Sequence, residues 1–159
     1  MTTATFDFHL LLHSASLVED ELRKRLARMN IRPRQARMID ALAHMEPASQ
    51  VALARAFGIT PSSMSTMTAR LINGGYITRE VDPNETRSNI LRLTDRGRDL
   101  LADIHAAWGD IDAMIVARLG AGRAASLSAV TRDLRDSLGG RAPGRNARTT
   151  PSNRLEART

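Results

Sequence analysis

The sequence contains no cysteine among its 159 residues. Disulfide bonds, thiolate nucleophiles, cysteine-based zinc sites and thiol redox sensing are therefore excluded together. Aromatic residues are almost as scarce, with three phenylalanines, one tryptophan and one tyrosine. Because 42% of the residues are hydrophobic, the core must be built from aliphatic side chains and methionine.

Long apolar runs are also missing, and none approaches the roughly 18 residues that would suggest a membrane-spanning helix. Residues 1–16 lack a basic cluster and contain Asp7, His9 and His13, so they do not resemble a signal peptide. We therefore expect a cytoplasmic protein. The sequence shows no pair of nucleophile and base, no metal motif and no phosphate-binding glycine loop, which argues against an enzyme.

The net charge of +6 is unevenly distributed along the chain. Residues 139–159 hold five arginines against the single acid Glu156, whereas the rest of the chain is only slightly basic. This tail is rich in Gly, Pro, Ser, Asn and Arg, and we expect it to be disordered. Charge alone therefore gives weak support for nucleic-acid binding.

The hydrophobic periodicity predicts a mainly helical chain. A long amphipathic helix is expected over residues 6–29, and a second helix from Pro33 to just before Pro47. A short third helix follows from an N-cap at Ser49 to Phe57, and a fourth begins at Pro61 after an N-cap at Thr60. Later helices are expected from Thr94 to Leu119 and over about 124–138.

Between the fourth and fifth helices the period changes from helical to alternating, which is typical of β-strands. Strands are predicted over 76–81 and 89–93, joined by a polar loop, residues 82–88. Short helix, tight turn, second helix and two-stranded hairpin follow one another in the order of a winged helix-turn-helix. In that motif the second helix enters the major groove of DNA by its N-terminal end.

The predicted DNA contacts follow from this order of elements. The exposed side of the fourth helix carries hydroxyl residues and one arginine that suit phosphates or base edges: Ser62, Ser63, Ser65, Thr66 and Arg70. In the loop, Arg87 is placed to enter the minor groove, and Asp82 or Glu85 to position it by an ion pair. Arg55, Arg79 and Arg92 are further candidates for phosphate contacts, with ordinary surface residues as the alternative.

Residues 48–97, ASQVALARAFGITPSSMSTMTARLINGGYITREVDPNETRSNILRLTDRG, resemble the MarR family of bacterial transcription regulators. The family's wing pattern matches at a set of shared positions: Gly75, Ile77, Arg79, Asp82, Pro83, Arg87, Leu93, Thr94 and Gly97. Two positions differ from the usual pattern: Glu85 replaces the usual aspartate, and Thr86 replaces a frequent second arginine that would contact the minor groove. Upstream, Pro33 and Gln35 resemble the opening of the family's second helix.

The resemblance implies a homodimer that binds a palindromic double-stranded DNA operator in the bacterial nucleoid, and no enzymatic activity. It also implies dimerisation helices at residues 1–30 and 98–138 and a DNA-binding lobe at residues 31–97, with the basic tail at 139–159. The apolar stripes on residues 6–29 and 98–138 independently exceed what one small lobe would bury. A small-molecule effector that releases a repressor from DNA is the expected mode of regulation.

The effector pocket is the least determined part of the sequence. His9 and His13 lie four residues apart on one helix face, where they can line a pocket, bind zinc or remain at an interface or surface. We expect no cofactor and no structural metal. Arg37 and Trp108 suit a small aromatic or carboxylate ligand by ion pairing and stacking. A winged-helix module for protein interaction or architecture, without an effector, is the alternative function.

Overall fold

The computed structural model describes residues 7–81 and 89–140. Within these residues, six helices surround a small antiparallel sheet: α1 (Asp7–Ala27), α2 (Pro33–Met45), α3 (Gln50–Phe57), α4 (Pro61–Asn73), α5 (Asp95–Leu119) and α6 (Ala121–Ser137). The strands are β1 (Ala48–Ser49), β2 (Ile77–Val81) and β3 (Asn89–Leu93). The mainly helical winged helix-turn-helix fold predicted from the sequence is confirmed.

The sheet has the strand order β1-β3-β2, so the prediction of a two-stranded hairpin was incomplete. Ala48 and Ser49 pair with Leu91 and Ile90 on the outer edge of β3. A strand of two residues is too short to show alternation, which is why periodicity does not reveal it. The main hairpin pairs Ile77 with Leu93 at its base and Val81 with Asn89 at its far end.

The helix boundaries agree with the predicted ones to within a few residues. Met29 lies in the turn after α1 and not in the helix, and α6 starts at Ala121, immediately after Gly120. The helix therefore includes Gly122, although the glycines at 120 and 122 together had suggested a longer break. Side-chain oxygens of Ser49 and Thr60 cap α3 and α4 as expected, and that of Thr94 caps α5 in addition.

One core cluster joins the sheet to α1–α5, and its members are aliphatic residues and methionines. The largest fully buried side chains include Leu26 of α1, Met38 of α2 and Ile104 of α5. α6 contributes nothing to this cluster, and Ala124 is the helix's one buried residue. The other residues of this 17-residue helix are exposed within the chain.

Polar contacts of Glu46 and Thr94 hold the base of the hairpin against the helices. The carboxylate of Glu46, at the end of α2, accepts a hydrogen bond from the Leu93 amide at 2.9 Å and pairs with Arg98 of α5 at 2.6 Å. Thr94 donates its hydroxyl hydrogen to the Gly75 carbonyl at 2.7 Å. The base of the hairpin is therefore tied to α2, α4 and α5.

No single helix among the described residues is long and apolar enough to cross a membrane. α5 and α6 pass a test of length and composition only when they are taken together, and they are bent by 119° at their junction.

Candidate nucleic-acid interface

The turn between α3 and α4 is built by local capping. Gly58 ends α3 in the left-handed conformation, with φ of 60°, which glycine adopts without steric cost. Thr60 then caps α4 by accepting a hydrogen bond from the Ser63 amide at 3.1 Å, and Pro61 occupies the first helical position. These contacts set the angle at which α4 leaves α3.

α4 divides into a buried and an exposed side. Met64, Thr68 and Leu71 face the core and are at most 1% exposed. The five residues predicted to contact DNA on this helix are all exposed: Ser62, Ser63, Ser65, Thr66 and Arg70. The structure therefore places them together on the open side of one helix, mostly in its N-terminal half.

The four hydroxyl groups are not equivalent. The Ser63 hydroxyl accepts a hydrogen bond from the Thr60 hydroxyl at 3.0 Å, and the Thr66 hydroxyl donates to the Ser62 carbonyl at 3.2 Å. Within the described part of the chain, the side chains of Ser62 and Ser65 make no hydrogen bond. Both hydrogen-bonding functions of these two serines are therefore available to a ligand.

Arg79, on β2, was predicted as a phosphate contact, and in the structure its side chain makes hydrogen bonds within the chain. Its guanidinium donates to Oε1 of Gln50 at 3.2 Å and to Oγ1 of Thr68 at 3.4 Å. Thr68 is fully buried and also donates to the Ser65 carbonyl at 3.0 Å. Arg79 thus connects the hairpin to the start of α3 and to the inner side of α4.

Gln50 and Thr68 are the interface residues that sequence reasoning did not single out. Thr68 occupies a position on the apolar side of α4, where sequence alone predicts a hydrophobic residue. Apart from Ser65, the hydrogen-bond partners of the Thr68 hydroxyl are Arg79 and Gln50, which lie 11 and 18 positions away in the chain, so periodicity gives no sign of these contacts.

The predicted wing residues Asp82, Glu85, Thr86 and Arg87 lie outside the described residues. The strands on either side of them are described up to the pair Val81 and Asn89. Near this end, Arg92 of β3 lies 3.8 Å from the Glu80 carboxylate of β2, an exposed and weak ion pair.

The four residues predicted to line an effector pocket lie on three helices, α1, α2 and α5. His9 and His13 are exposed on α1, Arg37 is exposed on α2, and Trp108 is half-buried on α5. Neither of the two large cavities in the described chain, the cleft at the α1–α2 turn and the groove between α1, α5 and α6, is lined by any of them. Their role in ligand binding stays a prediction.

Histidine instead forms a helix-to-helix contact. Nε2 of His105, on α5, lies 2.7 Å from the Asp40 carboxylate on α2, and the His105 ring lies 5.5 Å from the ring of Trp108. No group of three or more His, Asp or Glu side chains able to hold a metal ion occurs among residues 7–81 and 89–140.

Comparison with protein families gives a match to the MarR family over residues 29–88, the segment that contains α2, α3, α4 and β2. These residues are a MarR-family domain. The resemblance identified from the sequence is confirmed over these residues, and the match supports a DNA-binding transcription regulator. A comparison with curated protein sequences gave no significant match.

Solved MarR-type structures share the fold over most of the chain. The apo form of MarR from E. coli superimposes with a TM-score of 0.72 at 19% identity, over 84% of this chain and 98% of that one. MepR from S. aureus in complex with DNA gives 0.72 at 19% identity, over 85% and 99%. A cysteine-to-serine mutant of E. coli MarR in complex with operator DNA gives 0.69 at 20% identity, over 79% and 91%.

Proposed function

We propose that this MarR-family protein binds a palindromic DNA operator as a homodimer and represses transcription until a small-molecule effector releases it. The observation that carries the proposal is the exposed hydroxyl-bearing side of α4 beside Arg70. Small side chains let a helix approach the floor of the major groove closely, and serine and threonine hydroxyls hydrogen-bond to base edges or phosphates.

Ser62 and Ser65 are the best candidates for base contacts, because their hydroxyls have no partner among the described residues. The Ser63 hydroxyl accepts a hydrogen bond from Thr60 and keeps its donor, whereas the Thr66 hydroxyl donates to the Ser62 carbonyl and keeps its capacity as an acceptor. The N-terminal end of α4 adds the positive end of the helix dipole, which favours phosphate oxygens.

The wing completes the interface in this proposal. Arg87 enters the minor groove, Thr86 contacts the backbone beside it, and Asp82 or Glu85 holds the Arg87 guanidinium. Arg79 holds β2 against α3 and α4 through Nη2, which donates to Gln50 and Thr68, and its other guanidinium nitrogens keep the capacity for the predicted phosphate contact. It thereby sets the position of the wing relative to the recognition helix.

Dimerisation is supported by the apolar surface of α1, α5 and α6. Of the large hydrophobic side chains that are exposed in the described part of the chain, all but Val51 and Val81 lie on these helices or directly after α6. Leu127, Val130 and Leu134 form one such stripe on α6, and they are 44%, 63% and 42% exposed. A two-fold axis through this surface would place two α4 helices in successive major grooves, roughly 34–36 Å apart.

An effector site is compatible with the shape of the chain. A groove of about 1010 Å³ separates α1, α5 and α6, and its lining is mostly apolar. Because the groove shares Leu11, Val116 and Leu127 with the proposed dimer surface, an effector would occupy the part of it that the partner subunit leaves open. We propose a small aromatic or carboxylate effector without a metal or cofactor, and the cytoplasmic nucleoid as the location of the complex.

Ser65→Ala and Thr66→Ala should each change the discrimination between operator sequences by about 1–3 kcal/mol for each base that the side chain recognises, with a smaller effect on random duplex DNA. The measurement is a gel-shift titration with the DNA upstream of the protein's own gene and with single-base variants of the shifted site. Ser126→Ala is the matched control, because Ser126 is an exposed serine on α6 that donates within its own helix.

Failure of the wild-type protein to give a salt-sensitive, sequence-specific shift would contradict the proposed function. Equal discrimination by Ser65→Ala, Thr66→Ala and Ser126→Ala would leave DNA binding intact but remove α4 from base recognition.

Arg87→Ala should weaken binding to operator and random duplexes by the same factor, roughly tenfold, because a wing arginine in the minor groove interacts mainly with the potential of the backbone. Fluorescence anisotropy on both duplexes, at several salt concentrations, measures this effect. Arg118→Ala removes an equal charge at the end of α5 and should leave both affinities unchanged. An Arg87→Ala variant with wild-type affinity would refute the wing assignment.

A further inference from the structure

A basic cleft lies where the end of α1 and the α1–α2 turn meet the end of α4 and the start of α5. It has a volume of about 860 Å³, and four arginines line it: Arg23, Arg32, Arg70 and Arg96. Among the described residues, no aspartate or glutamate is part of the lining. The chain is only slightly basic outside its tail, so four arginines around one cleft are a local feature and not a reflection of the overall charge.

The four guanidinium groups differ in how far they are neutralised. Arg23 pairs with Glu19 and Asp20, each at 2.9 Å. Arg32, Arg70 and Arg96 have no ion-pair partner among residues 7–81 and 89–140, and all three are exposed. Three unpaired like charges around one cleft repel each other, and an anion bound between them would remove that cost.

Two further contacts hold this site in place. The Arg96 guanidinium lies 5.0 Å from the centre of the Tyr76 ring, and such stacking restricts the arginine side chain. Arg32 is the N-cap residue of α2, and Pro33 follows it in the first turn. The positive end of a 13-residue helix therefore lies at the same cleft and adds to its attraction for anions.

The cleft is continuous with the proposed DNA-binding side of α4. Ser62, Thr66 and Arg70 follow each other at intervals of four residues and so lie along one side of the helix. Arg70 is the last of the three and is also part of the cleft lining. A DNA strand that passes along this side of α4 would reach the cleft at the helix's C-terminal end.

We propose that the cleft binds backbone phosphates of the operator, and that Arg32 and Arg96 extend the DNA contact beyond the recognition helix and the wing. The inference rests on the proposed function and adds two phosphate-binding residues that neither the motif nor its spacing indicates. Arginine is well suited to this role, because its planar guanidinium can hold two phosphate oxygens at once.

The test compares the double variant Arg32→Gln/Arg96→Gln with Arg118→Gln/Arg123→Gln, which removes the same charge at the α5–α6 turn outside the cleft. Affinity for operator and random duplexes is measured by anisotropy over a series of salt concentrations. The cleft variant should bind both duplexes roughly tenfold or more weakly at moderate salt. Its slope of log K against log salt should be shallower by about 0.9 for each phosphate that is no longer neutralised.

Lysine variants, which keep the positive charge, distinguish a role of the two arginines in binding DNA from a role in folding. Arg32→Lys/Arg96→Lys should retain most of the salt slope and lose part of the affinity, because lysine keeps the charge but not the paired hydrogen bonds. Thermal unfolding of every variant reports the contribution of the Arg96–Tyr76 contact. If Arg96→Gln does not fold, Arg32→Gln alone should still show its own share of the change in slope.

Three results would overturn the inference. If the wild type binds the operator and the cleft variant has an unchanged salt slope, the cleft makes no phosphate contact. If titration with inorganic phosphate shows binding that the cleft variant loses while its DNA slope stays normal, the cleft holds a free anion instead. If the wild type shows no salt-dependent DNA binding, the proposed function and this inference fail together.

Discussion

Replacing Gly97 with alanine should lower the free energy of unfolding by about 3 kcal/mol or more, a value at the upper end for overpacking. Gly97 is buried in the first turn of α5, and its amide donates to the capping hydroxyl of Thr94 at 3.0 Å. A Cβ at this position would overlap the carbonyl oxygen of Tyr76. That oxygen belongs to the backbone and accepts a hydrogen bond from the Thr94 amide at 3.1 Å, so it cannot move aside cheaply.

Gly109→Ala is the matched control for this prediction, because Gly109 belongs to the same helix and a Cβ there would meet no atom within 4 Å. It should raise the stability by about 0.5–1 kcal/mol, the difference in helix propensity between glycine and alanine. Urea unfolding of both variants at one fixed protein concentration gives the comparison, since dimer formation would make stability depend on concentration. An ordinary surface substitution changes the free energy of unfolding by no more than about 0.5 kcal/mol. If Gly97→Ala lies within that range of the wild type, the start of α5 can shift away from β2.

Leu134→Asp should convert the proposed dimer into a monomer at micromolar concentration. It should also reduce operator affinity by roughly a hundredfold or more, because a monomer binds each half-site alone, without the gain from linking two binding events. The physical reason for dissociation is that a charge on the apolar stripe of α6 would have to be buried without a partner in the interface. Light scattering reports the mass, and anisotropy with full and half operators reports the affinity.

Ala129→Asp introduces the same residue into α6 away from the stripe, since one position along a helix corresponds to about 100° of rotation from Val130. Ala129 is exposed, and this variant should remain dimeric and bind the operator normally. A dimeric Leu134→Asp protein would contradict the proposed interface. A monomeric one that still binds the full operator with wild-type affinity would show that dimerisation is not needed for DNA binding.

Gly97→Ala and Leu134→Asp act on two different parts of the chain. The first concerns the junction between the hairpin and α5, where the Tyr76 backbone occupies the space that a Cβ at residue 97 would need. The second concerns a helix that buries only Ala124 within its own chain. Loss of DNA binding in either variant therefore needs the stability and mass measurements beside it, because unfolding and dissociation lead to the same loss.

The sequence by itself determined the order of elements and the exposed side of α4. Apolar periodicity and the caps at Ser49, Thr60 and Thr94 act over three or four residues, so they are visible without a fold. Only the two-residue strand β1 was missing, because its pairing with β3 joins segments that are far apart in the chain.

The tertiary structure alone decided which polar groups meet. Arg79 reaches Gln50 across 29 positions and His105 reaches Asp40 across 65, and no local pattern encodes either contact. The same holds for the basic cleft, whose arginines come from α1, the α1–α2 turn, α4 and α5. Local rules fix helices and turns because their hydrogen bonds are short-range, whereas the charge and burial of a site depend on helices brought together by the core.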